Sequence, residues 1–128
     1  MVTAIIGKAH YRTELITSGK TLIADEPEDL GGTNTGPAPG EFLLMSLASC
    51  TAITIRMYAD RKQIPLEQVR VEVAMEKNDF KTTLTRELYF EGELTAEDRA
   101  RLLEIAEKCP VHKTLNNPIQ IETKIAQL

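Results

Sequence analysis

Phe42-Leu-Leu-Met-Ser-Leu-Ala-Ser-Cys-Thr-Ala-Ile53 is the stretch whose reading decides the fold. Each side chain in it is apolar or small, so wound into a helix it has no polar face, and a helix that is apolar all round is buried all round. The stretch lies inside a longer run, from Glu41 to Gln63, that contains neither Gly nor Pro and is closed by Pro65. At about 1.5 Å per residue such a helix is about 35 Å long, the width of a small domain. Its second half turns charged at Arg56, Asp60, Arg61 and Lys62, so that end is expected in solvent. A chain of 128 residues has little material to wrap an apolar helix of this length, and a second copy is expected to cover part of it.

Ahead of the helix, Asp25 to Gly40 holds Pro27, Gly31, Gly32, Asn34, Gly36, Pro37 and Pro39, and reads as a loop. It lacks the Gly-Lys-Ser/Thr ending of a phosphate-binding loop, and is expected to cover the start of the helix. Earlier still, Val2-Thr-Ala-Ile-Ile, Thr13-Glu-Leu-Ile-Thr and Lys20-Thr-Leu-Ile-Ala read as strands of an antiparallel meander, with Ser18-Gly19 as a turn. Behind the helix, Val69 to Lys77 alternates as a half-buried strand does, and Leu84 to Glu93 follows less regularly. Thr95-Ala-Glu-Asp opens a second helix, with Thr95 as its cap, expected to run to Cys109 because Pro110 restricts the residue before it. Ile119 to Ile125 alternates again as a last strand. The expectation is one α+β domain, residues 1–128, with one antiparallel sheet packed on the long helix and a second helix beside it.

Composition narrows the function. Hydrophobic residues at 42% and charged residues at 27% suit a globular chain rather than a disordered one. The net charge of −4 is spread without a basic stripe, which argues against nucleic acid as a partner. No apolar run approaches the roughly 20 residues of a membrane span. Met1 to Lys8 does not read as a secretory leader, so a cytoplasmic protein is expected.

The chain has two cysteines, Cys50 and Cys109, too far apart in sequence for a local redox or metal motif. Inert buried thiols are the plain alternative to any role. Cys50 needs a nearby cation if it is to react, because apolar burial disfavours thiolate. Arg12, from the N-terminal strands, is the geometric choice, with Glu41 at the helix start to hold it. Cys109, at the expected C-terminus of the second helix, faces the negative end of the dipole, which suits a resolving thiol better than an attacking one. His112 with Cys109 makes a Cys-x-x-His pair that lacks the further ligands of a zinc site. It reads as a loop residue with a backbone partner or as a tuner of the thiols. Neither metal nor cofactor is expected.

Gly36-Pro-Ala-Pro-Gly-Glu-Phe-Leu-Leu-Met-Ser-Leu-Ala-Ser-Cys-Thr-Ala resembles the first cysteine motif of the OsmC/Ohr superfamily, and Ala106-Glu-Lys-Cys-Pro-Val-His-Lys-Thr-Leu resembles the second. Asp25-Glu-Pro and Leu30-Gly-Gly also fit. The resemblance covers nearly the whole chain. It implies an intertwined homodimer with two sites at its interface. It implies thiol-dependent reduction of organic hydroperoxides, with Cys50 attacking, Cys109 resolving, Arg12 and Glu41 as an activating clamp, and an external dithiol as reductant. Thr51 stands where typical members carry an aromatic, and Gly40 where they carry the clamp's glutamate, with Glu41 one residue later; the likeness is to a less defined subgroup. A non-catalytic protein with an apolar pocket at the dimer interface is the alternative, and sulfur or acyl transfer through Cys50 a third.

Overall fold

A computed structural model describes residues 1–127. The chain is α+β and divides into two compact units, Met1–Met45 and Ser46–Leu128. The sheets are two rather than the single one expected: β1 (Thr3–Ile5), β2 (Thr13–Thr17) and β3 (Lys20–Ala24) form one, and β4 (Leu66–Lys77) and β5 (Thr82–Gly92) form the other, all antiparallel. The long helix, α1 (Pro39–Arg61), begins two residues before the expected start, and is followed by α2 (Ala96–Ala106) and α3 (Pro110–Leu115).

In the first unit, Thr17 pairs with Lys20 around Ser18 and Gly19, both at positive φ (48° and 73°), the mirror-image turn that matches strand twist. The following loop is organised by one carboxylate. Asp25 is buried and accepts the hydroxyls of Thr33 and Thr35, each at 2.6 Å. It also accepts the backbone N–H groups of Tyr11, Glu26, Thr33 and Thr35 at 2.7 to 3.4 Å. The Thr33 and Thr35 hydroxyls lead the donors that hold its carboxyl well below the usual carboxylate range, against the opposing effect of burial. Gly32 packs so tightly on the Glu26 carbonyl that a Cβ would collide with it.

In the second unit the core is Ile55, Tyr58 and Ala59 of α1, Leu66 of β4, and Leu102, Ile105 and Ala106 of α2. Thr95 caps α2 as expected, taking the Asp98 N–H at 3.0 Å while the Asp98 carboxylate takes the Thr95 N–H at 3.1 Å. β4 turns Val69, Val71, Val73 and Met75 inward, and β5 turns Leu84, Arg86, Leu88 and Phe90 inward. Asn78 closes the hairpin between them, accepting the N–H groups of Phe80 and Lys81 at 2.9 Å each.

Three expectations are qualified or corrected. First, α1 is not buried all round within one chain; a second copy was expected to cover part of it. Leu47, Thr51, Ile55, Tyr58 and Ala59 form its buried stripe, while Ile53 and Met57 are 54% and 66% exposed. An 18-residue window of this helix has mean hydropathy 1.4, so by length and composition it is apolar enough to cross a membrane, a test that the core helix of a soluble protein also passes. Second, Ile119 to Ile125 forms no strand, and Ile119, Ile121 and Ile125 are exposed. An alternating segment becomes a strand only where it finds an edge to pair with. Third, α2 ends at Ala106, and Pro110 starts α3 rather than stopping α2. Proline at the first helical position forfeits a donor that has no partner there in any case.

Candidate active site

The third correction moves Cys109. It is the residue that caps α3, and its sulfur accepts the His112 N–H at 3.4 Å. The negative end of a helix dipole therefore does not face it. Cys50 comes from the middle of α1, and the two thiols are near enough to shift each other's ionisation. Both are free cysteines, Cys109 with none of its surface exposed and Cys50 partly exposed.

Their surroundings push the two thiols in opposite directions. Burial pushes Cys50 up, and the nearby Cys109 adds to that, against smaller contributions from the Val111 N–H and the Thr54 hydroxyl. Burial also pushes Cys109 up, but the Cys50 thiol, the His112 N–H and the Thr51 hydroxyl all stabilise charge on its sulfur, and the net effect is downward. Of the two thiols, Cys109 is therefore the one whose surroundings favour charge on sulfur.

Around the pair runs a network that the sequence reading missed. Thr51 is fully buried, and its hydroxyl accepts from Arg86 Nη1 at 3.0 Å. It donates to the Leu47 carbonyl at 2.7 Å. Arg86 Nη2 reaches His112 Nδ1 at 3.0 Å. An arginine can only donate, so Nδ1 accepts and the ring hydrogen sits on Nε2. Nε2 lies 3.0 Å from the Asn116 amide, whose oxygen is the end able to accept. A cavity of about 160 Å3 opens beside this network, lined by Leu47, Leu84, Leu115, Arg86, His112 and Asn116 among others.

Of the five residues singled out from sequence, Cys50, Cys109 and His112 come together. Arg12 and Glu41, both in the first unit, keep other partners. Arg12 lies 3.7 Å from Glu14, and Glu41 accepts the Ala38 N–H at 3.0 Å at the start of α1. Arg56 is engaged by Asp60 at 3.1 Å and by the Leu66 carbonyl at 2.8 Å. The cation beside the thiols is Arg86. Its signal was present in the alternation of β5: Leu84, Arg86, Leu88, Phe90 puts one arginine in an apolar row. Among the described residues no three His, Cys, Asp or Glu side chains group as metal ligands.

The fold and motifs can be compared with known proteins. A family profile described as OsmC-like protein matches residues 32–124. No curated protein matches the chain significantly. Solved structures do. An OsmC-like protein from Mycoplasma pneumoniae superposes with a TM-score of 0.77 at 18% identity, over 90% of this chain and 85% of that one. An osmotic stress induced and detoxification response protein from Psychrobacter arcticus gives 0.73 at 24% identity, over 88% and 85%. An organic hydroperoxide resistance protein, OsmC, from Legionella pneumophila gives 0.64 at 25% identity, over 91% and 88%. With its two cysteine motifs folded into one pair of thiols, the chain belongs to the OsmC-like protein family.

Proposed function

We propose that the chain reduces organic hydroperoxides through its two thiols, as a homodimer in the reducing cytoplasm. The observation that carries this reading is that Cys50 and Cys109, 59 positions apart in the chain, come near enough to shift each other's ionisation. A likeness to a hydroperoxide resistance protein supports it.

The arrangement gives each thiol a task. Cys50, partly exposed, meets the peroxide, and Cys109, fully buried, stands ready to resolve its oxidised form. Cys50 gives its proton to water and attacks the O–O bond as a thiolate. The O–O bond breaks, the Cys50 sulfur is oxidised to a sulfenic acid, and the alkoxide leaves and takes a proton from water. The Cys109 thiol then displaces the sulfenic hydroxyl: a disulfide forms and water departs. An external dithiol returns both cysteines to the reduced state by exchange. The second copy would cover Ile53 and Met57 and offer the alternating segment from Ile119 an edge to pair with.

The alternative, a non-catalytic protein with an apolar pocket at the dimer interface, predicts no thiol oxidation by peroxide. The test is one equivalent of cumene hydroperoxide added to the reduced protein, followed by intact mass under non-reducing conditions. Loss of two hydrogens is expected, absent in Cys50→Ser and Cys109→Ser, with a dimedone-trappable sulfenic acid accumulating in Cys109→Ser. No mass change in the wild type would remove the reading, and sedimentation at micromolar concentration tests the dimer.

A further inference from the structure

Cys50 and Cys109 sit on separate helices, and one side chain from a third element touches the neighbour of each. Arg86 of β5 donates through Nη1 to Thr51, adjacent to Cys50, and through Nη2 to His112, whose backbone N–H holds the Cys109 sulfur. Both bonds are 3.0 Å long. The guanidinium is a planar, rigid fork, so two bonds from two of its nitrogens fix both the distance and the angle between their acceptors. A half-buried arginine in the inward row of a strand is also costly, since taking its charge out of water needs compensation that a leucine would not.

We propose that Arg86 is a positioning residue for the thiol pair: its fork holds Thr51 and His112, and with them Cys50 and Cys109, in register with one another. The proposal rests on the two-thiol chemistry above and assigns to a strand residue the organising task that the family resemblance implies for Arg12 and Glu41. Arg86 acts through Thr51 and His112 and forms no bond to sulfur. Its charge adds a favourable field for a thiolate nearby, but a field alone does not need two bonds of defined direction.

The experiment uses the full chain, reduced and without peroxide, as wild type, Arg86→Met, Arg86→Lys and Arg70→Met. Arg70, stacked on Tyr89 at 3.9 Å on the exposed face of β4, serves as the control. Two readouts are taken: thiolate absorbance at 240 nm through a pH titration, and the equilibrium of the Cys50–Cys109 disulfide against glutathione buffers, by mass. Arg86→Met should lower the thiolate population at neutral pH about tenfold, the effect of one unit in pKa. Its disulfide should form several-fold less readily, because the sulfurs are no longer held together. Arg86→Lys keeps the charge but loses the fork, and should shift nearly as far; Arg70→Met should match the wild type. If Arg86→Met leaves both readouts unchanged, or Arg86→Lys restores both in full, the positioning role is overturned. If Arg86→Met does not fold by far-UV circular dichroism, Arg86→Lys decides alone. Shifted readouts in a protein that never consumes peroxide would keep the positioning role and remove the peroxidase reading.

Discussion

Thr51→Val isolates the bond between α1 and β5. Valine has nearly the shape of threonine, so the fully buried site keeps its packing and loses only the hydroxyl. The Leu47 carbonyl still has its place in the helix ladder, and loses little when the hydroxyl 2.7 Å away is removed. Arg86 loses an acceptor at 3.0 Å. A hydrogen bond involving a charged group contributes about 1.5–3 kcal/mol, and the partial exposure of Arg86 lets water recover some of that, so about 1–2 kcal/mol is expected. For a chain of this length each kcal/mol moves the melting temperature by about 4 °C, giving a fall of about 4–8 °C. The assay is thermal unfolding followed at 222 nm, every variant at the same protein concentration, because a dimer's melting point depends on it. Arg86→Met and the double variant complete a cycle in which the double should lose much less than the sum of the singles. A Thr51→Val melt within about 1 °C of wild type, or strict additivity with Arg86→Met, would refute the claim that this bond holds the two elements together.

Other consequences can be checked in the same way. Asp25 has a depressed folded value, so its contribution is complete at neutral pH and begins to fade as the pH falls below about 4, its unfolded value. Asp25→Asn should therefore melt below wild type at pH 7, with the gap narrowing in acid; a gap independent of pH would mean the charge is not what stabilises the loop. Leu102→Ala empties a site with no exposure in the core of the second unit and should lower stability by about 2–5 kcal/mol in urea titrations. Thr95→Ala breaks the capping box of α2 and should cost about 1 kcal/mol, seen as a lower urea midpoint with an unchanged slope. Gly32→Ala sets a methyl group against the Glu26 carbonyl and should destabilise the first unit, reported by faster proteolysis within residues 25–40.

Much of this architecture was readable because it is local. The alternation of Val69 to Lys77, the Ser18-Gly19 turn and the Thr95 cap are written in neighbouring residues, and the strands and helix they announce are present. The long helix was legible too, but not its surroundings, since periodicity says which face is apolar and not what covers it. Cys109 was misplaced because a proline signals a boundary without saying which side of it the helix lies on. The cysteines were expected to meet because each lies in a recognisable motif. Arg86 could not be chosen as easily: its partners are 35 and 26 positions away, and the contact exists only once β5 is laid beside α1 and α3. Ile119 to Ile125 carries the pattern of a strand, and the pattern is silent on whose edge it meets.

The carboxylate hub at Asp25 bears on how the first unit responds to temperature. Within Met1–Met45, Ala24 is the one apolar side chain in the buried class, and Asp25 next to it receives six hydrogen bonds. A segment ordered this way gains little from the release of water, so its opening carries a small heat-capacity change and a nearly linear dependence on temperature. The second unit, built on Ile55, Leu102 and Ile105, has the curved profile of an apolar core. One chain therefore contains two kinds of thermal behaviour, and the residues that set the first are two threonines and an aspartate rather than any hydrophobic contact.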